Sequence, residues 1–344
     1  MALTKLVATE PGQLRWQDYE EPPLSGEQVR VRSEHGAAKH GTELAFFKGY
    51  AQPRGDFDGE LKLFRYNADD AKPGQPLSPG NMIVGEIIEV GRDAQHLTVG
   101  QRVCCFGAFQ STVVARAAAC RVMPEGMDWR AAVCLDPAVF AMGAVRDGHV
   151  RVGDAVAVFG LGAIGLMVVQ LLKLAGADPI IAVDPVAKRR EVALAVGATT
   201  ALDTTACDAG LEIKRHTANR GADVVIEYSG NVRAMQAALR GVAFGGNVVA
   251  GAFPPPYPAG LDLGAEAHMN IPNIIFSRAC SRPDRDHPRW NEARIADTCW
   301  RLLCGGALRG DAIVQPVIHF DQLKEAYGRI ASHPDEYLKL GVNF

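Results

Sequence analysis

The stretch that most constrains this chain runs from Ala155 to Asp184, AVAVFGLGAIGLMVVQLLKLAGADPIIAVD. Ala155 to Phe159 is a short apolar run of buried-strand length, and Gly160-Leu161-Gly162-Ala163-Ile164-Gly165 follows at once. Beyond the glycines Ile164, Val168, Leu171 and Leu172 recur near helical period, and Gly176 stands where a helix closes on a left-handed residue. A second apolar strand, Ile180 to Val183, ends in Asp184. Strand, glycine turn, helix, strand and acid in that order predict a dinucleotide-binding βαβ unit.

Each glycine has a task in such a unit. Gly160 permits the tight turn, Gly162 lets backbone approach a pyrophosphate, and Gly165 lets helix and strand pack closely, with the phosphates on the free amides of the helix N-terminus. Asp184 is placed to accept hydrogen bonds from the adenosine ribose and would repel a 2′-phosphate, so the expected cofactor is NAD rather than NADP. The expected cofactor contacts are Gly160, Leu161, Gly162, Ala163, Ile164, Gly165 and Asp184, with Arg189, Ser229, Gly230, Gly251 and Ser277 added from the segments that follow.

At 344 residues two domains are the natural expectation. The net charge is −3 and no basic run alternates with aromatic residues, which argues against nucleic acid or anionic membrane as a partner. The first residues lack the basic start and apolar run of a secretory signal, and no segment reaches membrane-spanning length, so a soluble cytoplasmic protein is expected. The 8 cysteines form no CxxC pair and read as reduced, mostly buried small hydrophobes; a structural zinc would need clustered thiolates.

Residues 1 to about 148 read as β-rich, the clearest strands being Leu3–Ala8, Val29–Ser33, Met82–Val90 and Val113–Ala115. Between Gly49 and Pro79 lies a long polar segment, read either as a solvated insertion or as a ligand-gripping loop bearing Arg54, Asp56, Asp58, Phe64, Arg65 and Tyr66. Asp128 is set to cap a helix through WRAAVCLDPAVFAMGAV. From His149 to about 285 strands and helices alternate as in a doubly wound parallel sheet, with strands Ala222–Tyr228 and Asn247–Gly251 around a helix Val232–Leu239. A proline-rich segment (253–290), an amphipathic helix Asn291–Leu303 and a return segment with a helix Phe320–Ile330 complete the chain.

With the glycine turn this far along, behind a β-rich half, the sequence resembles the medium-chain dehydrogenase/reductase superfamily, its polyol dehydrogenase branch most closely. GTELAFFKG (41–49), PGNMIVGEIIEVG (79–91), VGQRV (99–103) and DVVIEYSG (223–230) carry the likeness. The resemblance implies an α/β protein: a GroES-like, β-rich catalytic domain from both chain ends (1–148 and 288–344) around a Rossmann domain with a doubly wound parallel sheet (149–287). It also implies a homodimer or homotetramer.

Departures from the family pattern shape the chemistry. The positions of the family's zinc ligands fall at His40, Asn81 and Asp136, with Lys39 the alternative to His40 because GAAKHGTE is one residue longer than the family's segment. Met82 replaces the orienting glutamate, and the four-cysteine lobe is gone. An amide oxygen is a weak zinc ligand, so no catalytic metal is expected. Proton transfer then falls to His40, Thr42, Lys39 and Asp136, an imidazole being able to exchange protons near neutral pH. Glu43, Asn81 and Arg278 are expected on the substrate side, Glu43 in support; Arg278 comes from FSRAC (276–280), which resembles a family segment beside the polyol site. His268, His287, Arg289 and Trp290 near it read equally well as surface residues.

The expected activity is therefore NAD-dependent oxidation of a secondary alcohol on a sugar, polyol or cyclitol, a small polyhydroxylated substrate. The alternatives are a zinc-independent quinone or enone reductase and a non-catalytic dinucleotide-binding protein.

Overall fold

Val156–Phe159 and Ile180–Val183 are buried at every position, which a strand achieves only when both faces of its sheet are covered. The computed structural model describes residues 3–10, 12–41, 43, 56–65, 78–257, 259–280, 285–333 and 335–344. By internal contacts they fall into two units: Met1–Val122 with Val317–Pro334 and Leu340–Phe344, and Met123–Pro316 with Asp335–Lys339.

The second unit carries a parallel sheet whose strands lie in the order Thr200–Leu202, Ile180–Val183, Val156–Phe159, Ala222–Glu227, Val242–Ala250, Asn273–Phe276. Numbered along the chain, this is the 3-2-1-4-5-6 order of a Rossmann sheet, with its crevice where Val156–Phe159 meets Ala222–Glu227. Register there is Val156↔Val224 through Phe159↔Glu227, so both strands end side by side. Between the sheet and its helices a core gathers Phe159, Ile181, Ile213, Val225 and Leu239.

The helix expected from Asp128 is two. Asp128 Oδ1 accepts from Arg130 N at 2.9 Å and caps Trp129–Ala132, after which Leu135–Asp147 starts afresh. Pro137 explains the interruption, since it has no amide to continue the hydrogen bonding. Leu135–Asp147 packs on the helices Ala163–Ala175 and Glu292–Cys304, so residues 123–148, which the sequence boundaries assign to the first domain, group by contacts with the Rossmann sheet.

The first unit is antiparallel. Gln28–Ala37 is central, flanked by Met82–Val90, Thr112–Arg116 and Lys339–Asn343. Gly341↔Ala37 and Asn343↔His35 join residues from far ends of the sequence. The long polar segment contains a hairpin, Asp56–Asp58 with Leu63–Arg65. There the Asp58 carboxylate accepts from Glu60 N, Leu61 N and the Arg65 guanidinium, which holds its pKa below the ordinary range. Asp58 and Arg65 thus bind each other; Arg54 and Tyr66 lie outside the described residues. No described helix is long and apolar enough to cross a membrane.

Candidate active site

At the crevice of the parallel sheet the backbone leaves Phe159 through Gly160, whose φ is +84°. A Cβ on Gly160 would lie 2.5 Å from Ser229 N, and one on Gly165 would lie 2.0 Å from Gly160 O, so larger residues at either place would force the turn apart. Gly162 differs: its Cβ would meet nothing within 4 Å. It caps the helix Ala163–Ala175 and leaves open space in front of the free amides of Ala163 and Ile164, the shape a pyrophosphate requires. The described residues therefore fit a dinucleotide.

Asp184 is 3 % exposed. Its Oδ2 accepts from Leu161 N at 2.8 Å and its Oδ1 from Val186 N at 2.9 Å, so the acid holds the glycine turn. Arg189 Nη1 lies 3.6 Å from Oδ2, and Arg190 donates to the Asp184 carbonyl at 2.8 Å. The Arg189 cation beside Asp184 moderates the repulsion a 2′-phosphate would meet.

Glu227, which sequence reasoning passed over, ends the neighbouring strand at 1 % exposure. Oε1 accepts from Ser229 N at 2.6 Å, from the Ser229 hydroxyl, and from Gly230 N at 3.0 Å. Burial pushes its pKa up against these bonds. The signal was present: DVVIE ends in an acid as IIAVD does. Each acid ties down the loop at its strand's mouth.

At the next strand ends, Gly251 lies against the Tyr228 ring, 2.4 Å from where its Cβ would be, so no side chain fits there. Ser277 N donates to Ala250 O at 3.0 Å, while the Ser277 hydroxyl is buried with no partner among the described residues. A buried, unbonded hydroxyl is costly, and a ligand amide or hydroxyl at this strand end would satisfy it. Arg278 is exposed.

In the first unit, Lys39 and His40 follow Gln28–Ala37. Leu340 N donates to His40 Nε2 at 3.0 Å, and Ala38 N donates to Leu340 O at 3.0 Å. The neutral ring therefore carries its proton on Nδ1, and protonating Nε2 would cost the Leu340 bond. Thr42 lies outside the described residues.

Glu43 departs from its expected place on the substrate side. It is 4 % exposed, with Oε1 accepting from Gly80 N at 2.9 Å and Oε2 accepting from the Tyr327 hydroxyl. Glu43 N in turn donates to Lys39 O at 3.0 Å. Gly80 has φ +117°, and Asn81 beyond it is fixed on both sides, its amide donating to Ala37 O at 3.1 Å and its carbonyl accepting from Gly107 N at 3.1 Å. Glu43 is thus an internal strut for the segment that carries Asn81.

Asp136 belongs to the second unit, 6 % exposed in the first turn of Leu135–Asp147. At the positions expected for zinc ligands, Nε2 of His40 accepts from Leu340 N and residue 81 is an asparagine, whose amide oxygen is a weak zinc ligand. Among the described residues no group of three or more His, Cys, Asp or Glu could hold a metal.

Comparison with known proteins agrees with this architecture. Residues 28–149 match the alcohol dehydrogenase GroES-like domain and residues 163–282 the zinc-binding dehydrogenase domain. The D-guloside 3-dehydrogenase of Escherichia coli (strain K12) is 45 % identical over 351 residues, covering 99 % of this chain and 100 % of that protein. Among solved structures, 2R,3R-butanediol dehydrogenase from Bacillus subtilis superposes with a TM-score of 0.79 at 21 % identity, over 100 % of both chains. A short chain alcohol dehydrogenase from E. coli CFT073, complexed with NADH, gives 0.78 at 18 % identity over 99 % of both chains.

Proposed function

This chain belongs to the zinc-type medium-chain alcohol and polyol dehydrogenase superfamily and is an oxidoreductase, and from that premise we propose that it oxidises a secondary hydroxyl of a sugar glycoside with NAD and without catalytic zinc. The observation that carries the substrate class is the full-length likeness to a D-guloside 3-dehydrogenase, which points to a ring hydroxyl of a hexoside. Asp184 at the ribose position supports NAD, and the donor set around His40 and Asn81 supports chemistry without a metal.

NAD supplies the hydride acceptor. The chain supplies binding through the amides after Gly162, orientation through the loops held by Asp184 and Glu227, and proton handling through Lys39, His40 and Thr42. Proton removal is assigned to His40 and Thr42, with Lys39 and Asp136 the further candidates, and Arg278 orients the substrate.

The homodimer or homotetramer belongs to the same reading. The edge strand Asn273–Phe276 leaves Phe276 75 % and Ile274 42 % exposed, an apolar edge suited to pairing with a second copy, and light scattering after size exclusion measures the state. A cytoplasmic location is proposed alongside it.

Spectrophotometry of NAD and NADP reduction with gulosides, other hexosides, polyols and cyclitols tests the activity. Turnover of a hexoside with NAD is the expected result. NADPH-driven reduction of an enone or quinone instead would install the reductase reading, and cofactor binding without turnover of any of these compounds the non-catalytic one.

A further inference from the structure

Two thiols meet in the first unit, and hydride transfer uses neither. Cys105 lies in the strand Arg102–Phe106 at 1 % exposure, and Cys120 is half-buried just before the strand Arg121–Val122. The two strands are antiparallel with Val103↔Val122 and Cys104↔Arg121, so one further step of this register sets Cys105 opposite Cys120. Cα atoms opposed across such a pair lie about 4.5–5.5 Å apart, inside the range of about 4.4–6.8 Å that a disulfide spans. The Cys120 thiol donates to Arg116 O at 3.5 Å, and the Cys105 thiol sits within hydrogen-bonding reach of the Cys120 sulfur. Cys104 is next along the strand, and the pleat turns it to the other face.

We propose that Cys105 and Cys120 are a dithiol oxidation site, which a peroxide converts to an intrachain disulfide. The partners divide the work. The hydrogen bond from Cys105 lowers the Cys120 pKa and raises that of Cys105, so the half-buried sulfur is the one that ionises. Its thiolate attacks one peroxide oxygen; the O–O bond breaks, hydroxide leaves and takes up a proton as water, and Cys120 becomes a sulfenic acid. Cys105 sulfur then attacks Cys120 Sγ, the S–S bond forms, the S–O bond breaks, and the Cys105 proton leaves with the departing oxygen as a second water. Two thiols are oxidised by two electrons and one hydrogen peroxide is reduced.

The remaining cysteines set the contrast. Cys134 and Cys299 are enclosed, and burial pushes each thiol up to about 12. Cys280 is exposed and free. The proposed bridge also lies near the candidate site, because Gly107, two residues beyond Cys105, donates to Asn81 O.

The test treats the reduced full-length protein with hydrogen peroxide, alkylates the remaining thiols and digests with trypsin, which cuts after Arg102, Arg116 and Arg121. Peptide Val103–Arg116 joined to Ala117–Arg121, lighter than the sum of the two by a pair of hydrogens, is the expected product. It should form in the wild type and in Cys104→Ser, and vanish in Cys120→Ser. Recovery of Cys120 as an alkylated thiol or an unjoined oxidised acid overturns the proposal, as does loss of the joined peptide in Cys104→Ser. If Cys105→Ser does not fold, the Cys104→Ser arm decides alone, since it leaves Cys105 as the sole partner on its peptide.

Discussion

The phenol of Tyr327 donates to the carboxylate of Glu43 inside the first unit, across 284 positions of sequence. Tyr327 is 1 % exposed and packs edge-on against Phe109, with ring centroids 6.4 Å apart. Tyr327→Phe would leave a buried carboxylate oxygen without that donor. We expect a loss of about 1–3 kcal/mol of stability, the usual cost of orphaning a buried group, measured by denaturant unfolding. Adding Glu43→Gln should recover part of it.

The same pair fixes an alkaline limit. Burial and the Glu43 charge hold the phenol well above its ordinary pKa, so the folded state keeps a proton that the unfolded chain gives up. Stability from this group is full below pH of about 10 and is lost as pH rises beyond it. Thermal unfolding from pH 8 upward should show the decline in the wild type and a smaller one in Tyr327→Phe.

Glu227 gives the corresponding signature at acid pH. Its folded pKa is raised by burial, so its contribution is full below the ordinary carboxyl pKa of about 4.3 and falls as pH climbs through the raised value. Subtracting the Glu227→Gln stability profile from the wild-type profile should isolate this slope above pH 4. A flat difference would mean that the carboxylate is stabilised in full by Ser229 and Gly230.

Asp184 joins two roles that one substitution separates poorly, so two are needed. Asp184→Ala removes the acceptor for Leu161 N and the repulsion of a 2′-phosphate together. NAD affinity should fall roughly 10- to 100-fold, the loss of a charged hydrogen bond, while NADP falls less. In Arg189→Ala the preference for NAD should widen. Calorimetric titration of both cofactors on the wild type and the two variants reads all six values, and equal wild-type affinities would remove the case for NAD.

For the chemistry, His40→Ala should lower turnover by about 10²-fold with NAD affinity unchanged. Thr42→Val should do so more mildly, and Arg278→Ala should raise the Michaelis constant of the sugar. Elemental analysis of protein purified without added metal should find no stoichiometric zinc. One zinc per chain, lost together with activity on chelation, would make His40 and Asp136 ligands.

The Rossmann unit could be read in advance because its information is local: glycines, helix period and terminal acid all fall within Ala155–Asp184. The strand Met82–Val90 was legible to the residue. Other features needed partners that no local pattern names. Glu43 looked like a ligand-side acid until Tyr327 and Gly80 occupied both oxygens, and His40 looked like an unengaged base until Leu340 N came to rest on it. Asn273–Phe276 hid within a proline-rich stretch, being an edge strand with little burial to write into its sequence. Asp58 and Arg65 suggested a sugar grip because attraction between opposite charges in a hairpin uses the same residue types as a sugar site.

Gln28–Ala37 takes one neighbour from Met82–Val90 and another from Lys339–Asn343, and the whole parallel sheet is encoded between those two. On the ribosome, synthesis runs in one direction, so the β-rich unit is begun early and must wait roughly 250 residues for the strand that closes it, while the parallel sheet emerges complete in the interval. At about 5–20 residues per second the wait lasts on the order of 10 seconds or more. Throughout it, the His35–Ala37 end of that strand keeps one open edge, available to any strand that meets it. The opening segment therefore acquires the amide that holds His40 only after everything between has been made.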